Sequence, residues 1–158
     1  MNNKITNIKL VGIGGMGVLK ASLILAEVVF KQGLCVKKAE VHGMSQRGGS
    51  VCSDVRFGAE VFSPMIPSGE IDILVAIQDD QKDLYTWECN EKTIIISASQ
   101  LDEKALPNKK SANVAMLGLL SCYLDIPEET WLEEIKLNFK EKFFEANKKA
   151  FEYGRTLK

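Results

Sequence analysis

The stretch Ile5-Thr6-Asn7-Ile8-Lys9-Leu10-Val11-Gly12-Ile13-Gly14-Gly15-Met16-Gly17-Val18-Leu19-Lys20 decides how this chain folds. Ile8, Leu10, Val11 and Ile13 make an apolar run from Ile5 to Ile13 that passes directly into glycines, the pattern of a buried strand ending at a turn. From Gly17 to Lys31 the sequence carries Val18, Leu19, Ala21, Leu23, Ile24, Leu25, Ala26, Val28 and Val29 with few polar breaks and stops at Gly33. That spacing predicts a mostly buried helix with a glycine stop signal. Leu34 to Val41 reads as a second strand pairing beside the first, so that about forty residues complete a parallel strand-helix-strand crossover.

Outward from this unit, His42 to Ser50 is interrupted by Gly43, Gly48 and Gly49 and reads as an ordered loop. Val51 to Phe57, Ile71 to Ile77 and Thr93 to Ile96 read as further strands. Ser63 to Gly69, with Pro64 and Pro67, is a connection, and Gln78 to Glu91 has room for one short helix. Gln100 to Ser111 is polar, contains Pro107 and reads as a loop. Ala112 to Leu124 is an apolar helix, and Pro127 with Glu128 and Glu129 starts another, whose apolar stripe is Trp131, Leu132, Ile135 and Phe139. A last helix from Lys142 to Arg155 turns Phe143, Ala146, Ala150 and Phe151 inward and pairs Glu145 with Lys149. The expected architecture is a single α/β domain, a Rossmann-like doubly wound sheet with helices on both faces.

Composition bounds the function. At 158 residues, 46% hydrophobic and 26% charged, the chain has the size of one domain and enough apolar surface for a core. Twenty Lys and Arg against 21 Asp and Glu leave a net charge of -1, which disfavours nucleic acid as a partner. Cys35, Cys52, Cys89 and Cys122 are widely spaced with no Cys-x-x-Cys pair, so a metal cluster in this chain alone is not expected. With His42 as the single histidine, sites built on two imidazoles are excluded. Met1 to Lys9 does not read as a secretion signal, and the longest apolar run, Val114 to Leu120, is far short of the ~18 residues of a membrane span. Reduced thiols in a cytoplasmic protein are the expectation.

Gly12-Ile13-Gly14-Gly15-Met16-Gly17 is a Gly-x-Gly-x-x-Gly at a strand-to-helix junction. There, backbone amides of Gly12, Gly14, Gly15 and Gly17 can approach an anion, and the helix N-terminus adds partial positive charge. Glu40, 23 residues beyond Gly17, lies near where an acid would hold a ribose. A nucleotide site and a tight turn that packs a helix onto a strand both satisfy this pattern. The second cluster is Glu40-Val41-His42-Gly43-Met44-Ser45-Gln46-Arg47-Gly48-Gly49-Ser50, which in an open sheet shares one edge with the glycine turn. His42, Ser45, Gln46 and Arg47 offer hydrogen bonds and a two-pronged cation, while Gly48 and Gly49 permit close approach. A solvated loop with a surface arginine is the plain alternative. Asp79 and Asp80 read as helix-start acids, Cys52 as a small buried residue, and Trp131 and Phe139 as core.

Read together, these segments resemble the gamma subunit, or gamma-type domain, of the 2-oxoacid:ferredoxin oxidoreductases, nearest to the small (beta) subunit of indolepyruvate ferredoxin oxidoreductase. The resemblance spans residues 1–158. It rests on Gly12 to Val18, Glu40 to Val51, Ser63-Pro64 with Ile66-Pro67, Ile71 to Ile77, and Asn113 with Met116-Leu117-Gly118. It implies a subunit, inactive alone, of an enzyme that oxidatively decarboxylates a 2-oxoacid, of indolepyruvate or pyruvate type, to an acyl-coenzyme A, with ferredoxin as electron acceptor. Thiamine diphosphate and iron-sulfur clusters are then expected on larger partner subunits, and coenzyme A and the oxoacid in a shared cleft. The resemblance assigns Gly12, Gly14, Gly15 and Gly17 to an anionic group, makes Arg47, Gly48 and Gly49 a wall of that cleft, and gives His42, Ser45 and Gln46 hydrogen bonds there. Three departures accompany it: Met16 in place of a glutamine, Gln78 in place of a glutamate, and a short segment Gln100 to Ser111 that lacks room for a strand and crossover. A free-standing NAD- or nucleotide-binding protein, using Gly12 to Gly17 and Glu40, and an assembly-only module are the rival readings.

Overall fold

In the computed structural model, which describes residues 4–42 and 48–158, β1 (Thr6–Ile13) lies at the centre of a five-stranded sheet. The other strands are β2 (Cys35–His42), β3 (Ser50–Gly58), β4 (Ile73–Ala76) and β5 (Ile94–Ser97), in the order β2-β3-β1-β4-β5. Helix α1 (Val18–Lys31) follows β1, and the short α2 (Asp79–Lys82) follows β4. The chain ends with α3 (Ala112–Ser121), α4 (Glu128–Asn138) and α5 (Phe144–Arg155).

One pairing corrects the sequence reading. β3 runs antiparallel to both β1 and β2, whereas β4 and β5 continue parallel to β1. The crossover through α1 therefore does return β2 parallel to β1, but β3 fills the gap between them. The sheet is mixed, and β2 does not pair beside β1. The physical reason is the short return after His42: a few residues suffice to join antiparallel strands, whereas a parallel connection needs a dozen or more.

Side chains alternate across the sheet. On one face Ile8, Leu10, Val55, Phe57, Ile73, Val75 and Ile96 pack under α1, α3, α4 and α5 in the main core. On the other, Val11, Cys52, Leu74 and Ala76 join Ile66, Ile71, Tyr85 and Cys89 in a smaller cluster. All four long helices thus lie on one face. The second face is covered by the 59–72 segment, α2 and a 3-10 turn at Thr86–Glu88.

That second face also buries charge. Lys9 Nζ lies 2.9 Å from Asp54 and 3.0 Å from Glu88. Burial pushes the Lys9 ammonium down, but hydrogen bonds to Asp54 and Glu88 outweigh it and hold the group above its ordinary pKa. Arg56 donates to Asn7 Oδ1 at 2.8 Å and to the carbonyls of Ser63 and Met65 at 3.0 Å, and Ile66 N donates to Asp54 Oδ2 at 2.9 Å. Lys9 is thus paired with carboxylates and Arg56 is met by three oxygen acceptors, as burial requires.

The helical side carries smaller corrections. α3 stops at Ser121 rather than Leu124. Phe143 belongs to a 3-10 turn and is exposed, so Asn147, Ala150, Phe151 and Gly154 form the inner face of α5. The ion pair within α5 is Lys148 with Glu152 at 3.9 Å, and Glu145 forms none among the described residues. Between β5 and α3 stand only 3-10 turns at Ala98–Gln100 and Lys109–Ser111, as the short 100–111 segment predicts.

Candidate functional site

The two glycine-rich segments meet at one edge of the sheet. Gly14 N donates to Gly49 O at 2.9 Å, so the turn after β1 is tied directly to the segment entering β3. Gly17 stands at the N-terminus of α1 with φ 80°, a left-handed conformation that an L side chain adopts only at a cost. Among the described residues no side chain caps this helix, which leaves its first amides free for an anion. Gly12 has a different task. A Cβ there would stand 2.7 Å from Val18 Cγ2, so it packs α1 onto β1 and lines neither of the clefts that flank the turn.

The first cleft, of about 410 Å³, is lined by Gly14, Gly15, Gly17, Lys20, His42 and Val51. His42 pairs with Val51 in the β2-β3 ladder, so its side chain shares the α1 face of the sheet, and its Nε2 is 3.9 Å from Glu40. The second, of about 460 Å³, lies on the other flank of the turn, where Gly15 and Gly17 meet Lys20, Lys109, Lys110 and Asn113. Asn113 Nδ2 donates to Gly17 O at 3.2 Å, while its Oδ1 is buried with no partner among the described residues. Lys109 also reaches Glu103 at 3.2 Å, and Lys20 and Lys110 form no ion pair among the described residues. A helix N-terminus beside three ammonium groups suits a phosphate or carboxylate.

The structure thus brings together Gly14, Gly15, Gly17, His42, Gly48 and Gly49. Ser45, Gln46 and Arg47, with Gly43 and Met44, lie outside the described residues. Lys20, Lys109, Lys110 and the cleft-lining role of Asn113 are not legible as site features, because Lys20 reads as a polar break in a helix and adjacent lysines in a polar loop read as a solvated surface. Met16 and Gln78 both border a third cleft of about 460 Å³ with Asp79 and Ser99, and Gln78 Oε1 is buried there without a hydrogen-bond partner among the described residues.

Other candidates fall away. Glu40 is gripped by Lys38 and stands on β2, one strand further from the glycine turn than a ribose-binding acid beside β1 would be, because β3 intervenes. Cys52 and His42 occupy adjoining rows of the ladder and so point to opposite faces, which leaves the thiol without an imidazole. Burial pushes the Cys52 thiol up from its ordinary pKa. Asp79 Oδ1 accepts from Ser99 N at 3.1 Å, a structural tie rather than half of an acid-base pair.

Over 188 aligned positions the chain is 31% identical to the indolepyruvate oxidoreductase subunit IorB of Archaeoglobus fulgidus, covering 94% of this chain and 92% of that one. The alignment is longer than the 158 residues of this chain, so the relative carries insertions that this chain lacks. Among solved structures, the gamma subunit of a keto/oxoacid ferredoxin oxidoreductase from Geobacter sulfurreducens superposes with a TM-score of 0.79 at 21% identity, covering 96% of this chain and 97% of that one. A 2-oxoglutarate:ferredoxin oxidoreductase from Magnetococcus marinus, solved with 2-oxoglutarate, coenzyme A and succinyl-CoA bound, has a TM-score of 0.81 at 20% identity. It covers 98% of this chain and 31% of the longer one. The family model for pyruvate ferredoxin/flavodoxin oxidoreductase matches residues 7–100 and 85–157, and the chain belongs to that family.

Proposed function

We propose that this chain is the small subunit of a 2-oxoacid:ferredoxin oxidoreductase, and that its glycine turn meets the anionic part of coenzyme A. The observation that carries the reading is the juxtaposition at the N-terminus of α1, where the Gly14-Gly49 tie, the free amides, Lys20, Lys109 and Lys110 form one basic edge. In this reading thiamine diphosphate and the iron-sulfur clusters reside on larger partner subunits and supply decarboxylation and electron transfer to ferredoxin. This chain's residues bind and orient. The amides of Gly15 and Gly17 and the lysines hold phosphate oxygens, and His42 with Gly48 and Gly49 walls the first cleft. In this reading Arg47 serves the same ligand, and Ser45 and Gln46 offer it hydrogen bonds. The 2-oxoacid is of indolepyruvate or pyruvate type, and the enzyme works in the cytoplasm.

Anaerobic purification of the tagged chain should bring down a larger thiamine- and iron-containing polypeptide, and the complex should reduce ferredoxin when given a 2-oxoacid and coenzyme A. Replacing Lys109 and Lys110 together by alanine should raise KM for coenzyme A about a hundredfold, the loss of two charge-assisted contacts worth about tenfold each, with KM for the oxoacid unchanged. Recovery of this chain alone would sink the subunit reading. An unaltered KM for coenzyme A would leave the subunit an assembly role only.

A further inference from the structure

The second face of the sheet carries large apolar side chains that the main core does not use. Phe62 is 88% exposed, Trp87 72%, Met65 59% and Leu84 54%. They sit on two segments joined to one another across that face: Gly69 N donates to Glu88 O at 2.9 Å, and Lys9 bridges Glu88 to Asp54, which in turn holds Ile66 N. The exposure is enforced rather than incidental. Arg56 grips the carbonyls of Ser63 and Met65 on either side of Pro64, so the segment that carries Phe62 is anchored by buried charge. Trp87 Nε1 donates to Leu84 O at 2.9 Å, which fixes the indole outward. Aromatic and methionine side chains held rigidly on a surface have the composition of an interface centre, because little entropy is lost when they dock.

Charge identifies the occupant. Residues 59–92 expose six acids, Glu60, Glu70, Asp79, Asp80, Asp83 and Glu91, and contain only Lys82 and Lys92 as cations, in a chain whose net charge is only -1. Two copies related by a two-fold axis would set this acidic rim against itself, and like charges across an interface disfavour pairing. The face calls for a protein surface with an apolar centre and a basic rim. In the Magnetococcus oxidoreductase the matching fold makes up 31% of a longer chain, so there it is continuous with further protein. We infer that the face bearing Phe62, Met65, Leu84 and Trp87 docks the larger subunit of the complex, an inference that rests on the reading of the chain as an oxidoreductase subunit.

Photo-crosslinking in the intact complex tests it. A benzophenone amino acid is placed at position 62, at position 87 and, as a control, at the exposed position 149 on α5, and the tagged complex is purified anaerobically, irradiated and mapped by mass spectrometry. Positions 62 and 87 should crosslink to the thiamine- and iron-containing polypeptide, and position 149 should not. Phe62→Asp combined with Trp87→Asp should lower recovery of the complex at least tenfold, while the isolated variant keeps the circular dichroism and melting temperature of the parent. An intact complex in which 62 and 87 stay uncrosslinked overturns the docking assignment and leaves the subunit reading standing. Crosslinks into a second copy of this chain overturn it in favour of a homodimer. Absence of any thiamine- and iron-containing polypeptide removes the subunit reading and this inference with it.

Discussion

Gly17 and Gly14 sit three residues apart in the same turn, yet only one of them is required by its geometry. Gly17 has φ 80°, and a Cβ there would collide with the side chain of Asn113. At Gly14 the nearest atom to a Cβ is Gly49 O at 3.8 Å, ordinary contact. Gly17→Ala should therefore destabilise the protein by about 2 kcal/mol, from left-handed strain and the displaced amide, whereas Gly14→Ala should change stability by less than about 0.5 kcal/mol. Urea unfolding of the two variants checks this, and equal losses would contradict it. Lys9 makes the same kind of distinction electrostatically. Lys9→Met would leave the Asp54 and Glu88 carboxylates buried without their cation, at a cost of about 3 kcal/mol. Because the folded pKa of Lys9 is raised, its pairing is fully present below the ordinary lysine pKa and is lost as pH rises through the folded value. Stability should consequently fall on the alkaline side of about pH 10.5 more steeply in the parent than in Lys9→Met. Parallel slopes in the two proteins would show that Lys9 does not control that limb.

Among the elements, α3 and α5 make the closest helix contact in the fold. Gly118 faces the backbone of Phe151 and Gly154 faces that of Ala115, so a Cβ at either position would meet main-chain carbonyl groups. Backbone cannot step aside as a flexible side chain can. Gly154→Ala should cost about 3 kcal/mol by forcing the helices apart, even though alanine favours helix intrinsically. A variant as stable as the parent would mean that the crossing can slide. The packing role of neither glycine is legible in the sequence, where Gly118 enters only as part of the resemblance and each is a weak helix former in an otherwise helical run. The run from Ile8 into Gly12 and on to Val29 was legible, because its periodicity is local. The place of β3 was not, since nothing within Val51 to Phe57 says whether that strand lies outside β2 or between β2 and β1. The lysines at 109 and 110 were invisible as site residues for the same reason, since they reach the N-terminus of α1 only through the tertiary fold.

At the scale of the whole molecule the sheet separates two unlike interiors. One is apolar and helical, centred on Trp131 and Phe151 with ring centroids 5.9 Å apart; the other is ionic, built on Lys9, Asp54 and Arg56, with Trp87 standing outside it. β1 and β3 contribute to both, Leu10 and Val55 to the first and Lys9 and Asp54 to the second. Neither interior can be lost without loosening strands that the other needs, so the two should unfold in one transition despite their different chemistry. Fluorescence of Trp131→Phe, which reports through Trp87, and of Trp87→Phe, which reports through Trp131, should give the same denaturant midpoint as circular dichroism once each variant's own stability is allowed for. Gly154→Ala and Lys9→Met, on opposite sides of the sheet with no shared partner, should add to within about 0.5 kcal/mol when combined. If the Trp87 signal moved at lower denaturant than the circular dichroism of the same variant, the ionic face would be an independently opening unit. The rigid presentation of Phe62 and Trp87 would then fail with it, because the segments that carry them are tied to that face through Arg56, Asp54 and Glu88.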